Sequence, residues 1–155
     1  MLELLVGNIA SGKSTYSKEA AGRGCVIVNN DAIVTAIHGG NYQLYNHTYK
    51  PIYKAVENTI ITVALSLGRD VVVDNTNNTR KTRRRYIGLA HSLDAEVRVR
   101  EFLWMAPLIH ARRRSISDGR GYSTEYWLKV ADRKSGDYEK PDIELEGFDE
   151  LIGDC

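Results

Sequence analysis

Residues Gly7-Asn8-Ile9-Ala10-Ser11-Gly12-Lys13-Ser14-Thr15 complete the pattern GxxxxGK[ST], directly after the apolar run Leu4-Leu5-Val6 and directly before a helix-compatible stretch. Strand, glycine-rich loop and helix in that order constrain the fold more than any other stretch of the chain. Loop amides wrap phosphates, Lys13 reaches the terminal ones, and the Ser14 hydroxyl ligates Mg²⁺, all at the positive end of a helix dipole. The pattern predicts a nucleoside triphosphate held by Gly7, Asn8, Ala10, Ser11, Gly12, Lys13, Ser14 and Thr15. The competing reading, a glycine-rich turn without a ligand, is opposed by the strand before the loop and the helix after it.

Hydrophobic periodicity supplies the remaining elements. Leu2 to Val6 reads as a strand covered on both faces, and Lys13 to Ala21 as a helix stopped by Gly22 and Gly24. Cys25 to Val28 predicts a second strand ending at Asn29-Asn30-Asp31, and Ala32 to His38 a short helix capped by Asn30 or Asp31. From Thr48 to Leu67 the apolar positions Ile52, Val56, Ile60, Val63 and Leu67 recur every three or four residues, which predicts a long amphipathic helix closed by Gly68. Asp70 to Asp74 is a third strand, Thr79 to Leu93 a basic helix with Ile87, Ala90 and Leu93 inward, and Val97 to Leu103 a fourth, less buried strand. Pro107 starts a helix that runs to Arg114, and Ser117 to Gly121 is a glycine-bracketed loop. Ser123 caps a helix over Thr124 to Arg133, and Phe148 to Ile152 adds an edge strand to an otherwise irregular end.

Alternating strands and helices joined by right-handed crossovers predict an α/β fold of the P-loop NTPase type, a parallel sheet of four to five strands flanked by helices. One domain is expected over residues 1–155, with an Arg-rich lid at about 112–122 and an acidic segment at 137–155. Ligands of such sheets collect at the carboxyl ends of the strands, which brings Gly7 to Lys13, Asn29 to Asp31 and Asp74 to Asn78 together.

A chain of 155 residues buries a core without disulfides, and Cys25 and Cys155 lie too far apart in sequence to suggest a disulfide framework or a metal cluster. The chain shows neither a leader nor an apolar run of membrane-spanning length, so a soluble, cytoplasmic protein with no membrane partner is expected. The net charge of +1 conceals an asymmetry: residues 80 to 134 hold fourteen Lys and Arg against six Asp and Glu, whereas Asp137 to Cys155 holds eight acids and only Lys140 as a base. A basic stretch beside a phosphate site suits a polyanionic second substrate; a solvated helix face explains Arg80 to Arg85 equally well.

Phosphoryl transfer asks for a phosphate cradle with Mg²⁺, a carboxylate to take an acceptor's proton, and cations that close over the phosphates. Asp31, ending the second strand opposite the loop, is the candidate general base, with a plain helix cap as the alternative. Asp74, ending a strand of three valines, suits Mg²⁺, its water, or a substrate-side group. Arg112, Arg113, Arg114 and Arg120 are the candidate lid cations, since a guanidinium matches phosphate bidentately. Tyr42, Tyr45, His47, Tyr49 and Tyr53, interleaved with Lys50 and Lys54, suit either base stacking or helix packing.

These residues resemble the polynucleotide 5′-hydroxyl kinases, and the match runs nearly end to end. Gly7 to Thr15 matches the phosphate loop, and Val28-Asn29-Asn30-Asp31 resembles the family's Asn-Arg-Asp, with Asn30 in place of the arginine. Val73-Asp74-Asn75-Thr76-Asn77 followed by Arg83, Arg85 and Tyr86 is similar to the Asp-Asn-Thr-Asn segment and its helix. Ala111 to Arg114 resembles the lid helix, and Tyr138 to Phe148 the closing Pro…Glu-Gly-Phe segment. The resemblance implies transfer of the ATP γ-phosphate to a 5′-hydroxyl of DNA or RNA. Asp31, Lys13, Arg112 and Arg120 would be catalytic, Arg113 would join the nucleotide site, and Asp74, Asn77 and Arg84 would lie on the substrate side. In two places the chain departs from the family: Ala32 to Thr35 holds no acceptor-side arginine of the kind some members carry, and Arg120 lies farther from Arg112 than in close relatives. The rival expectations are a kinase of a small alcohol (a nucleoside, sugar or hydroxymethylated base) and a nucleotide-binding ATPase module without transfer, against which Asp31 speaks.

Overall fold

The computed structural model describes residues 1–153, so Cys155 and the last acid of the tail, Asp154, lie outside the described residues. Five strands form one parallel sheet in the order β2-β3-β1-β4-β5, with β1 at Leu2–Val6, β2 at Val26–Val28, β3 at Val71–Val73, β4 at Val97–Glu101 and β5 at Glu150–Ile152. Seven α-helices accompany them among the described residues: α1 Lys13–Gly22, α2 Asn30–Ile37, α3 Lys50–Ser66, α4 Arg80–His91, α5 Pro107–Ser117, α6 Thr124–Gly136 and α7 Ile143–Glu146. No helix is long and apolar enough to cross a membrane.

The strand period of two divides the core. Leu2, Leu4 and Val6 point into the larger cluster, with Ile33 and Val34 of α2, Tyr53, Ile61 and Ala64 of α3, Tyr86, Ile87 and Ala90 of α4, and Phe148. Leu5 and Val72 point the other way, against Ala20 and Tyr16 of α1 and Phe102. Burying each of the leucine, isoleucine, valine and phenylalanine side chains contributes on the order of 1.5–3 kcal/mol. α5 and α6 pack on each other. Both also reach the carboxyl edge of the sheet: buried His110 of α5 lies against the backbone of Ile9, and Asn8 bonds to Ala131 and Ser135 of α6.

Three expectations need correction. The cap of α2 is Asn29, whose side chain accepts from the Ala32 amide at 2.9 Å, and Asp31 sits inside the first turn, so capping does not explain it. The inward face of α3 is Tyr53, Glu57, Ile61 and Ala64, one position on from the apolar stripe; Val63 and Leu67 stand 52% and 71% exposed. The rotation follows from polar side chains that find partners inside. Tyr53 Oη bonds His38 Nε2 at 2.7 Å, and Glu57 accepts from Arg85 and from Asn75 Nδ2. In α4 the inward face starts with Arg83, fully buried, while Leu93 lies beyond the helix and is half-buried. Arg83 donates to both oxygens of Glu146 at 2.7 Å and to the Asn77 carbonyl at 2.9 Å. The run Arg80 to Arg85 is therefore neither a bare solvated face nor a free polyanion patch. Arg83 staples α4 to α7, Arg85 holds α3, and Arg84 donates to the Leu145 carbonyl at 2.8 Å.

Candidate functional site

Two cavities open side by side at the carboxyl edge. The first, about 440 Å³, is lined by Ala10, Ser11, Gly12, Lys13, Ser14, Thr15, Lys18, Arg113, Arg114 and Ser117. Gly12, at φ +107°, turns the chain into α1, whose first amides have no carbonyl one turn back to bond. A Cβ on Gly7 would lie 2.7 Å from Ser11 Oγ and 3.0 Å from Phe102 Cβ, so any larger residue here would displace the Ser11 side chain within the loop. The Lys13 ammonium is buried against the loop, donating to the carbonyls of Gly7 at 2.9 Å and Asn8 at 2.6 Å. Burial lowers its pKa to about 8; Asp74 opposes the shift, and Arg114 and Lys134 add to it.

The second cavity, about 460 Å³, is lined by Asp31, Ala32, Thr35, Gly40, Asn41, Tyr42, Gln43, Arg114, Asp118 and Arg120. Arg114 belongs to both walls. Asp31 is placed by a chain of amides: Asn29 Nδ2 donates to the Asp74 carbonyl at 2.7 Å, and the Asn30 amide donates to Asn75 Oδ1 at 2.9 Å. Asn75 Nδ2 in turn donates to Glu57 and to the Tyr86 hydroxyl, which locks the start of α2 to the loop after β3. A half-exposed carboxylate on a rigid helix start, facing a cavity beside the phosphate loop, can accept a proton from a bound hydroxyl.

The cations divide between the cavities. Arg113 and Arg114 face the phosphate loop, whereas Arg120 turns to the second cavity, 3.8 Å from Asp31 and 4.6 Å above the Tyr42 ring. Asp118, with its side chain largely buried, holds Arg120 at 2.8 Å and Arg114 at 3.4 Å. Burial, with Asp31 beside it, pushes the Tyr42 hydroxyl up to about 12, against the pull of Arg120. Arg112 is exposed and lines neither cavity.

Other expected residues stand behind the site. Asn77 Nδ2 donates to the carbonyls of Leu5 at 2.9 Å and Val73 at 3.2 Å, tying the ends of β1 and β3 together, and Arg84 is turned toward α7. Asp74 is buried beside Lys13. Of the aromatic group, Tyr42 lines the second cavity, Tyr45 and Tyr53 continue a stack of rings behind it, and Tyr49 stacks on His38. The sequence reading passed over Asp118 and Thr35. Asp118 sits four residues after Arg114 and two before Arg120, and that spacing is the signal for it.

Among the described residues no group of three His, Cys, Asp or Glu side chains is arranged to hold a metal ion. Mg²⁺ does not need one, because it keeps several waters and binds through one or two protein oxygens plus substrate phosphates. The Ser14 hydroxyl at the start of α1 and the Asp74 carboxylate beside Lys13 fit that donor set.

A family model described as an AAA domain, AAA_33, matches residues 2–121. No curated protein matches the chain. Among solved structures, a candidate kinase from Chloroflexus aurantiacus j-10-fl superposes with a TM-score of 0.70 at 16% identity, covering 99% of this chain and 86% of that one. A chain of the Pnkp1/Rnl/Hen1 RNA repair complex superposes at 0.67 and 18% identity over 89% of this chain, and a gluconokinase from Sinorhizobium meliloti 1021 at 0.57 and 18% over 98% of this chain and 81% of that one. The chain spans only 36% and 46% of the Pnkp1/Rnl/Hen1 chains it matches. These likenesses carry the fold, that of a P-loop kinase.

Proposed function

We propose that this chain, which belongs to the AAA domain family, transfers the γ-phosphate of ATP to an alcohol, the 5′-hydroxyl of DNA or RNA. The observation that carries this reading is the shared wall: a phosphate-loop cavity and a second cavity holding Asp31 meet at Arg114. A nucleotide-binding module that transfers nothing has no use for the second cavity.

In this reading the acceptor hydroxyl lies against Asp31, which takes its proton as the new oxygen–phosphorus bond forms and the bond to the β-phosphate oxygen breaks, releasing ADP. Lys13, Arg113 and Arg114 neutralise the charge on the transferred group and the leaving diphosphate. Bound Mg²⁺, held by Ser14 and Asp74, would supply further charge neutralisation on the phosphates. Arg120 and Tyr42 hold the acceptor, a guanidinium and a ring suiting a phosphodiester and a base. The likeness to a chain of an RNA repair complex supports a nucleic acid. The absence of a cation from Ala32 to Thr35, together with the likeness to a gluconokinase, favours a second reading with a small alcohol in the same cavity.

The test is γ-labelled ATP offered with 5′-hydroxyl single strands, duplex ends, RNA, nucleosides and sugar acids. Label on strands is expected, and label on small molecules alone transfers the conclusion to the second reading. Asp31→Asn should lower turnover on the order of a hundredfold or more. A loss of only a few-fold refutes Asp31 as the base.

A further inference from the structure

α5 ends on a carboxylate. Asp118 is its C-terminal cap, at the negative end of the helix dipole, where a lysine or arginine is favoured and an acid is not. Its side chain is nonetheless only 7% exposed. One oxygen, Oδ2, accepts from the Arg120 amide at 3.3 Å, a local turn contact of the kind aspartates make two residues on. The other, Oδ1, faces two guanidiniums, Arg120 Nε at 2.8 Å and Arg114 Nη2 at 3.4 Å, and turn chemistry asks for neither.

Both arginines are also held from α6. The centroid of the buried Trp127 ring lies 5.0 Å from the Arg114 guanidinium carbon and 5.3 Å from that of Arg120. One carboxylate and one ring thus keep two like charges side by side that would otherwise repel. Arg114 sits in the wall common to the two cavities, and Arg120 in the second alone. Arg120 has two acids within reach. Its Nε donates to Asp118, while its Nη1 stands 3.8 Å from Asp31 Oδ2, beyond hydrogen-bond distance. Without Asp118, the guanidinium could close on Asp31 and hold both of its oxygens, which would occupy the lone pairs that a hydroxyl proton needs.

We propose that Asp118 is a positioning residue of the transfer site: it sets Arg114 in the shared wall, and it holds Arg120 beside Asp31 without letting the two pair. This rests on the kinase reading above.

The experiment places Asp118→Asn on the wild-type and on the Arg120→Met background and reads kcat and KM for ATP and acceptor, at a temperature where circular dichroism shows each variant folded. On the wild-type background kcat should fall about tenfold or more, with KM for ATP changed less than about threefold. On the Arg120→Met background the same substitution should cost several-fold less, because no guanidinium remains to close on Asp31. A kcat within about twofold of wild type, or an equal loss on both backgrounds, overturns the assignment. Where Asp118→Asn does not fold, Asp118→Glu is read in its place, since it keeps the charge and moves it by one methylene. A kcat about threefold lower with KM for ATP little changed supports the assignment, and wild-type kinetics overturns it. If the wild type labels no acceptor, the kinase reading fails on its own. Asp118 is then judged through Arg114: about tenfold weaker binding of ADP with aluminium fluoride, but not of ADP alone, supports it, and no loss or an equal loss for both overturns it.

Discussion

Glu146→Gln tests the buried staple behind the site. Both side chains of the Arg83–Glu146 pair are fully buried, with two bonds of 2.7 Å between them and a third from Arg83 to the Asn77 carbonyl. The amide keeps the shape of the carboxylate and removes its charge, leaving a guanidinium buried without compensation, which costs about 3–5 kcal/mol. Against a total stability of about 5–15 kcal/mol this is a large fraction. At roughly 2–4 °C per kcal/mol for a domain of this size, the melting temperature should fall by about 6–20 °C. The double variant Arg83→Met/Glu146→Leu removes both charges and should recover most of the loss. It should remain about 1–3 kcal/mol below wild type, because the Asn77 carbonyl and the Asp142 amide lose their partners. Urea unfolding of the three proteins at constant m-value measures these differences. A Glu146→Gln loss under about 1 kcal/mol, or a double variant no more stable than the single one, refutes the reasoning.

Two further outcomes follow from the phosphate loop. The Lys13 pKa of about 8 lies below its ordinary 10.5, so bound phosphate should restore the charged form and draw in a proton above pH 8. Nucleotide affinity should therefore be flat below that pH and fall by up to about tenfold per unit above it. For the free protein the sign is opposite: this group makes folding more favourable as pH rises from about 8 toward 10.5, where only the unfolded chain still holds the proton. Calorimetry at pH 9 in buffers of different ionisation heat reads the uptake, and no uptake contradicts the placement of Lys13. Gly7→Ala should cost about 1–3 kcal/mol and weaken nucleotide binding, since its Cβ would press on Ser11 Oγ and Phe102 Cβ. A variant that binds ATP as the wild type does would show the loop to be looser than its geometry.

The sheet was legible because its signals are local. Leu4 to Val6 and the valines at 71 to 73 are continuous apolar runs, and the strands that hold them lie on either side of the same hydrogen-bond ladder. The edge strand after Phe148 and the alternating burial of β4 also follow from the pattern. The face of α3 did not, because periodicity counts Tyr53 and Glu57 as polar and cannot know that His38, Arg85 and Asn75 wait for them inside. For the same reason the arginines of α4 looked alike in sequence, although one is fully buried and its neighbours are not.

The site divides along the same line. By itself the sequence determined the phosphate loop, the carboxylate at the end of the second strand and the cluster of arginines, because a motif of fixed spacing on a strand–loop–helix unit needs no distant partner to be recognised. Only the tertiary structure decided which arginine faces which cavity, that Arg83 and Glu146 pair across 63 positions, and that Asn8 and Asn78 hold the last turn of α6. The physical reason is that charge and amide partners are chosen by proximity in space. When α6 docks across the ends of β1 and β3, its last turn is held by one asparagine side chain from each of the two loops.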